Sequence, residues 1–220
     1  MEKYLDRPNL RDQIYDIMKE MIVMRQIKPD EKINEERLAE RLRVSRTPIR
    51  ETLCRLENEG IVKVIPRRGA FVIKQCKERV VEILQVREVL EGLVAGIVAQ
   101  SGDEKTLNKL RKSLERISSV PEEDGHLMKY TNADIEFHSI LIEASNNEML
   151  QNMMGIVNSH LQIIRLRTVV LPGRARKTVD EHYRVLEAIE KGNTGSAERL
   201  MRKHIESVRN SAIKNLDLME

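Results

Sequence analysis

The sequence predicts a mainly α-helical chain in two parts: a small N-terminal unit of helices closed by a β-hairpin, then a larger C-terminal bundle of antiparallel helices. Three observations carry this reading. Between Ile61 and Ile73 two short β-branched runs flank the turn Pro66-Arg67-Arg68-Gly69, which is a hairpin signal. From Glu78 onward strand signals vanish, and apolar residues recur at helical spacing between turn residues. Charge divides at the same place. Residues 1 to 75 hold 17 Lys and Arg against 13 Asp and Glu, whereas residues 76 to 220 hold 21 against 22. At 220 residues the chain has room for two cores, and the expected units are 1–75 and 78–220.

Leu10 to Ile27 reads as the first helix, with Leu10, Ile14, Ile17, Met18, Met21 and Ile22 on one side and Lys28-Pro29-Asp30 as its stop. Asn34 to Leu42 makes a short second helix with Leu38, Ala39 and Leu42 inward. The third helix is expected to start at Ser45, whose hydroxyl suits an N-cap, to tolerate Pro48 in its first turn and to end at Gly60. Ile49, Leu53 and Leu56 form its buried stripe. Arg46 and Arg50, four apart, project together from its polar face with Thr47 beside them. Two helices joined by so short a turn, followed by a hairpin tipped with Arg67 and Arg68, describe a winged helix-turn-helix. In that arrangement the start of the second helix of the pair enters the major groove of double-stranded DNA, and the wing reaches phosphate or the minor groove. Between Arg37 and Arg68 nine basic residues face four acidic ones, the kind of patch that supplies sequence-independent DNA affinity. Taken alone, the arginines are also compatible with a solvated helix face.

The run LAERLRVSRTPIRETLCRLENEGIVKVIPRRGAFV, Leu38 to Val72, resembles the DNA-binding domain of the GntR family of bacterial transcriptional regulators. The resemblance implies DNA contacts at Arg46, Thr47, Arg50, Arg68 and Gly69; Arg43, Ser45 and Arg67 complete the candidate interface. Arg43 stands where the family usually has glycine. If the backbone there takes a positive φ, arginine costs about 1 kcal/mol while adding charge near phosphate.

The remainder reads as six helices, roughly 78–100, 104–117, 126–143, 147–169, 174–191 and 196–216. They are broken at Gly102, Pro121 to Gly125, Asn146, Pro172-Gly173 and Gly192 to Gly195. Four residues here are more polar than their positions call for. Asp134 and His138 share a face with Tyr130, Phe137 and Leu141; His182 lies in line with Val185, Leu186 and Ile189; His204 lies in line with Leu200, Met201, Ile205 and Val208. One carboxylate and three neutral imidazoles from three helices would bind a divalent metal, zinc first, with nickel or manganese as alternatives. Spacing alone leaves each histidine open to being a hydrogen-bonded core residue.

The segments DIEFH (134 to 138), DEHYRVLEAIEKGN (180 to 193) and LMRKHI (200 to 205), with QVREVLEGLVA (85 to 95), resemble the FCD domain, the helical effector domain of FadR/VanR-like GntR regulators. The resemblance implies that Asp134, His138, His182 and His204 are the metal ligands. Arg87, His160 and Arg165 are candidates for holding a small organic acid, with an i, i+4 bridge to Glu91 as the rival role of Arg87. His126 reads as solvated. Cys54 and Cys76 match no zinc spacing and read as reduced thiols. No HExxH, nucleophile elbow or phosphate loop is present, which speaks against the alternative of a metal-dependent hydrolase fused to a DNA-binding module. A direct metal sensor is the other alternative. No apolar run approaches the roughly 18 residues of a membrane helix, and MEKYLDRPNL lacks a signal-peptide core, so a cytoplasmic location is expected. The function expected is a ligand-responsive repressor, a homodimer on a palindromic operator, since one winged domain reads only a few base pairs.

Overall fold

The structure, a computed structural model, describes residues 10–74, 76–120, 127–169, 171 and 173–217. His126, Pro172 and the break at Pro121 to Gly125 lie outside them. Contacts divide the chain into two compact units, Met1–Gln75 and Cys76–Glu220.

In the first unit α1 (Leu10–Val23), α2 (Glu35–Leu42) and α3 (Arg46–Asn58) precede the antiparallel pair β1 (Val62–Ile65) and β2 (Gly69–Val72). The first helix stops four residues short of the expected Ile27. Arg25 turns left-handed at φ 55° and the Ile27 amide reaches back to the Met21 carbonyl, so the chain reverses before Pro29. The Asn34 side chain caps α2 by accepting from the Arg37 amide at 3.0 Å. Arg43 closes that helix at φ 56°, with its amide on the Glu40 carbonyl and the Val44 amide on the Ala39 carbonyl. The arginine therefore sits in the conformation glycine favours. Ser45 holds the N-cap position of α3, yet its hydroxyl makes no capping bond. Gly60 ends α3 at φ 66°, where the Ile61 amide donates to the Leu56 carbonyl.

The hairpin register pairs Val62 with Val72 and Ile65 with Gly69. At its tip the Arg68 amide donates to the Ile65 carbonyl, with Pro66 first in the turn and Arg67 left-handed at φ 63°, the order a type II turn asks for. Residues 30–33 run along the free edge of β2: Asp30 and Ile33 donate to the Val72 and Ala70 carbonyls. The core of this unit joins Ile14, Met18, Ile33, Leu38, Ile49, Leu56, Ile61 and Val72, all buried. A buried lysine, Lys19, is held by the Tyr15 hydroxyl at 2.5 Å and by Glu59 at 3.3 Å, which ties α1 to the end of α3.

The second unit contains α4 (Lys77–Ser101), α5 (Glu104–Ser118), α6 (Leu127–Ala144), α7 (Glu148–Val169), α8 (Arg174–Glu190) and α9 (Thr194–Asp217). No strand occurs among its described residues. Asp103 caps α5 through the Lys105 and Thr106 amides, Asn147 caps α7 through the Leu150 amide and Asn193 caps α9 through the Ser196 amide. That last cap starts α9 two residues earlier than expected and places Gly195 in its first turn. Helix α4 packs on α6, α7, α8 and α9, most extensively on α9. Gly92 permits this: a Cβ there would lie 2.6 Å from Cγ of Arg202. The interior around α4 joins Leu84, Val94, Ala95, Leu110, Leu114, Phe137, Leu141, Met154, Leu161, Val185, Ile189, Met201 and Ile205. Burial of these side chains is the main favourable term for the bundle, at about 1.5 to 3 kcal/mol for each large one.

Candidate metal centre and nucleic-acid interface

Three histidines meet inside the bundle because each replaces an apolar residue on the inward stripe of its helix. His138 on α6, His182 on α8 and His204 on α9 are all buried, and one ring nitrogen from each lies within 4.8 Å of the others. Nε2 of His182 is 3.2 Å from Nε2 of His204. Asp134, one turn before His138, places Oδ1 3.8 Å from Nε2 of both His138 and His182. Phe137 stacks on the His182 ring with centroids 4.3 Å apart and so fixes the plane of that imidazole.

Two carboxylates stand behind the rings. Glu181 Oε2 accepts from His204 Nδ1 at 2.8 Å, which leaves the Nε2 lone pair of His204 facing inward. Glu91 Oε2 lies 2.5 Å from His138 Nδ1, a close contact that is not aligned as a hydrogen bond. Both carboxylates are in turn held by arginines: Arg87 Nε donates to Glu91 at 2.7 Å and Arg174 Nη1 to Glu181 at 3.1 Å. Burial by itself would raise the Glu91 carboxyl, but Arg87 and His138 overcome it and hold Glu91 well below the usual carboxylate range. Glu181, likewise opposed by burial, is brought down to about 2 by His204 and Arg174.

The imidazoles are pushed the other way. Burial, with the neighbouring rings adding to it, drives His182 well below its ordinary value, and burial takes His204 down to about 4 despite its bond to Glu181. Both are therefore neutral near pH 7, the form that ligates a metal. No hydrogen-bond partner within the protein reaches Nε2 of His138. Three convergent imidazoles, His182 and His204 neutral and His138 with an unbonded Nε2, beside a carboxylate fit a divalent cation and suit no buried hydrogen-bond network equally well.

A small cavity adjoins this cluster. Arg87, Arg165 and Arg174 line it together with Asp134, His204 and the hydroxyl-bearing Tyr130, Thr131, Thr168 and Thr178. Arg87 makes the bridge to Glu91 and also lines the cavity. His160 does not: it is exposed, on the outer side of α7, and lines no part of the cavity. The periodicity that placed it near Val157, Leu161 and Ile164 allowed either side of the helix edge, and packing chose the outer one. Sequence reasoning missed Glu181 and Arg174. Arg174 shares the stripe of Thr178, His182 and Val185 at spacings of four, four and three, which was the available signal.

On the first unit, Arg43, Ser45, Arg46, Thr47, Arg50, Arg67 and Arg68 are exposed and Gly69 is half-buried. Arg46 Nη1 meets Glu36 and Arg50 Nε meets Glu35, each at 2.8 Å, so the first residues of α2 hold the basic side chains of α3. Gly69, at φ 104°, passes under Lys32, whose Cε would be 2.9 Å from any Cβ built there. Arg68 lies over the Phe71 ring at 6.0 Å, and Arg67 is carried at the tip of the turn. Cys54 and Cys76 are both exposed and free of disulfide. No described helix is long and apolar enough to cross a membrane.

Comparison with known proteins places these two units. Residues 10–72 match the family model described as bacterial regulatory proteins, gntR family, and residues 82–207 match that of the FCD domain. The chain is 32% identical over 192 residues to the HTH-type transcriptional regulator YdhC of Bacillus subtilis, covering 87% of this chain and 86% of that protein. It is 31% identical over 209 residues to LutR, an HTH-type transcriptional regulator of the same organism, covering 86% and 94%. The solved structure of E. coli McbR/YncC shares the fold at a TM-score of 0.66 and 21% identity, over 90% of this chain and 93% of that one.

Proposed function

The chain belongs to the gntR family of bacterial regulatory proteins and carries an FCD domain, and from that premise we propose that this DNA-binding transcriptional regulator is a metal-containing repressor that answers to a small organic acid. Its relatives are transcriptional regulators, a non-enzymatic class. The observation that carries the metal reading is the convergence of His138, His182 and His204 with Asp134 next to a cavity lined by three arginines. Zinc suits three imidazole nitrogens and one carboxylate oxygen; nickel and manganese are the alternatives. A bound dication would supply a Lewis-acidic positive charge to which a carboxylate oxygen adds. The chain's own part is to hold four donors in place, to keep the imidazoles neutral and to surround the acid with guanidinium groups.

On the DNA side, Arg46, Thr47 and Arg50 enter the major groove, Arg67, Arg68 and Gly69 follow the backbone or minor groove, and Arg43 and Ser45 approach phosphate. The functional units are 1–75 for DNA and 78–220 for metal, effector and dimerisation. A homodimer on a palindromic operator is supported by two exposed apolar stripes on the bundle: Val86, Val89 and Leu93 on α4, and Met149, Met153 and Ile156 on α7. Such a DNA-bound role is carried out in the cytoplasm. The acid changes DNA affinity by binding one dimer arrangement more tightly than another, since equal binding would move no population.

The test pairs elemental analysis with operator titrations, with and without added acid, for wild type and His204→Ala. Loss of metal and of the acid response, with DNA binding retained, is expected. Full metal content and full response in His204→Ala would overturn the coordination. DNA affinity that tracked free metal without any acid would favour the direct metal sensor instead.

A further inference from the structure

The cavity beside the histidines holds a charge that the bundle does not answer. Arg87 is matched by Glu91 and Arg174 by Glu181. Arg165 has no such carboxylate. Its Nη2 donates to the Asn158 side-chain oxygen at 3.2 Å, its Nε finds no acceptor within the protein, and the residue is only 6% exposed. Nη2 of Arg87 and Nη2 of Arg174 are also buried without acceptors. All three guanidinium groups line the same cavity.

A buried cation without an anion is unfavourable by several kcal/mol, even after relaxation. Burial and the neighbouring Arg87 push Arg165 down to about 10 against the longer-range attraction of Asp134 and Glu91, neither of which forms an ion pair with it, and it stays protonated at neutral pH. The charge sum sets what would relieve it. A dication coordinated by Asp134 and three neutral imidazoles keeps one positive charge, and Arg165 adds a second, while the other two arginines are neutralised by their glutamates. Two negative charges balance the cavity, and one does not.

We propose that the effector is a short dicarboxylate, with one carboxylate at the metal and the other on Arg165, assisted by the free Nη2 donors of Arg87 and Arg174. This rests on the metal reading given above. Guanidinium and carboxylate form charge-assisted bonds of fixed geometry, so Arg165 discriminates a second carboxylate from a methyl group by charge and by hydrogen bonding together. The cavity is small, which favours acids with few carbons.

The experiment titrates the zinc-loaded full chain with acetate, propionate, malonate and succinate by calorimetry, while bound zinc is counted by elemental analysis. Wild type is expected to bind a dicarboxylate at least about tenfold more tightly than either monocarboxylate. Arg165→Gln should erase that preference while leaving zinc content unchanged, and Arg165→Lys should restore part of it. Equal affinity of wild type for all four acids, or no binding of any, overturns the proposal, as does a preference that survives in Arg165→Gln. Zinc bound without a dicarboxylate preference defeats the second anchor alone; a wild-type chain that holds no zinc defeats the metal reading itself. The wild-type comparison decides the matter even if the Gln variant fails to fold.

Discussion

The two units of this chain treat arginine in opposite ways. On α3, Arg46 and Arg50 stand in solvent, each bridged to a glutamate of α2, and such exposed pairs contribute roughly 0 to 1 kcal/mol. In the bundle Arg87, Arg165 and Arg174 are buried to 6% exposure or less, and Arg87 and Arg174 are wired to carboxylates that in turn face the histidines. The first arrangement keeps charge available to a polyanion and makes the side chains replaceable without loss of fold. The second commits charge to a fixed geometry, where removing one member leaves another buried and unpaired. The exposed basic face of α3 and the buried cluster of the bundle therefore differ in how much stability is coupled to each charged residue.

Metal removal is the strongest way to break this contrast. Saturation at a few hundred times the dissociation constant should stabilise the bundle by roughly 3 to 4 kcal/mol. Chelation should lower its unfolding midpoint and leave that of the winged unit in place, as followed by denaturant titration; equal shifts in both units would contradict the separation.

Acid should act on the same side of the comparison. The His204 imidazole is depressed to about 4 from an ordinary value near 6.5, with His182 depressed in the same sense, so the unfolded chain binds these protons first. The metal-free bundle should accordingly keep its full stability above about pH 6.5 and lose up to about 3 kcal/mol through His204 as pH falls toward 4, with a loss of the same sign through His182. Glu181, held near 2, adds a further loss between about 4.5 and 2. Melting curves across pH 3 to 8 in the presence of chelator check this, and a flat profile from 6.5 to 4 would count against buried neutral imidazoles.

Arg46→Ala and Arg50→Ala should each weaken operator binding by about 1 to 3 kcal/mol without moving either thermal transition. Arg67→Ala or Arg68→Ala should weaken binding more evenly across sequences and flatten its salt dependence. Wild-type affinity in both α3 variants would sink the docking of that helix.

Glu181→Gln sharpens the contrast from the inside. Losing the negative charge that orients and polarises His204 should weaken metal binding about 10- to 100-fold, read by competition with a chelating dye, while DNA affinity without effector stays level. The smallest effect is expected at the surface pairs. Glu35→Gln and Glu36→Gln release Arg50 and Arg46 for phosphate and should tighten DNA binding by only about two- to fivefold, mostly on non-operator DNA.

Much of this molecule is legible in the order of its amino acids. Apolar stripes at spacings of three and four locate the helices, β-branched runs around Pro66 to Gly69 locate the hairpin, and the hydrophobic neighbours of Asp134, His138, His182 and His204 put all four on inward faces. Those signals are local, because a helix repeats every 3.6 residues and a strand every two. Helix ends are less legible where a single residue decides them, as Asn193 does for α9 and left-handed Arg25 does for α1.

What tertiary structure decided is which side chains meet. Periodicity says that His182 and His204 both point inward; the close packing of α8 and α9 sets their Nε2 atoms 3.2 Å apart. It likewise brings Glu91 of α4 against His138 of α6, places Arg165 of α7 and Arg174 of α8 around one cavity, and leaves His160 outside it. The sequence by itself determined faces and family. Distances between residues far apart in the chain arise only when cores interlock, and those distances decide which buried charges find a carboxylate, as Arg87 and Arg174 do and Arg165 does not.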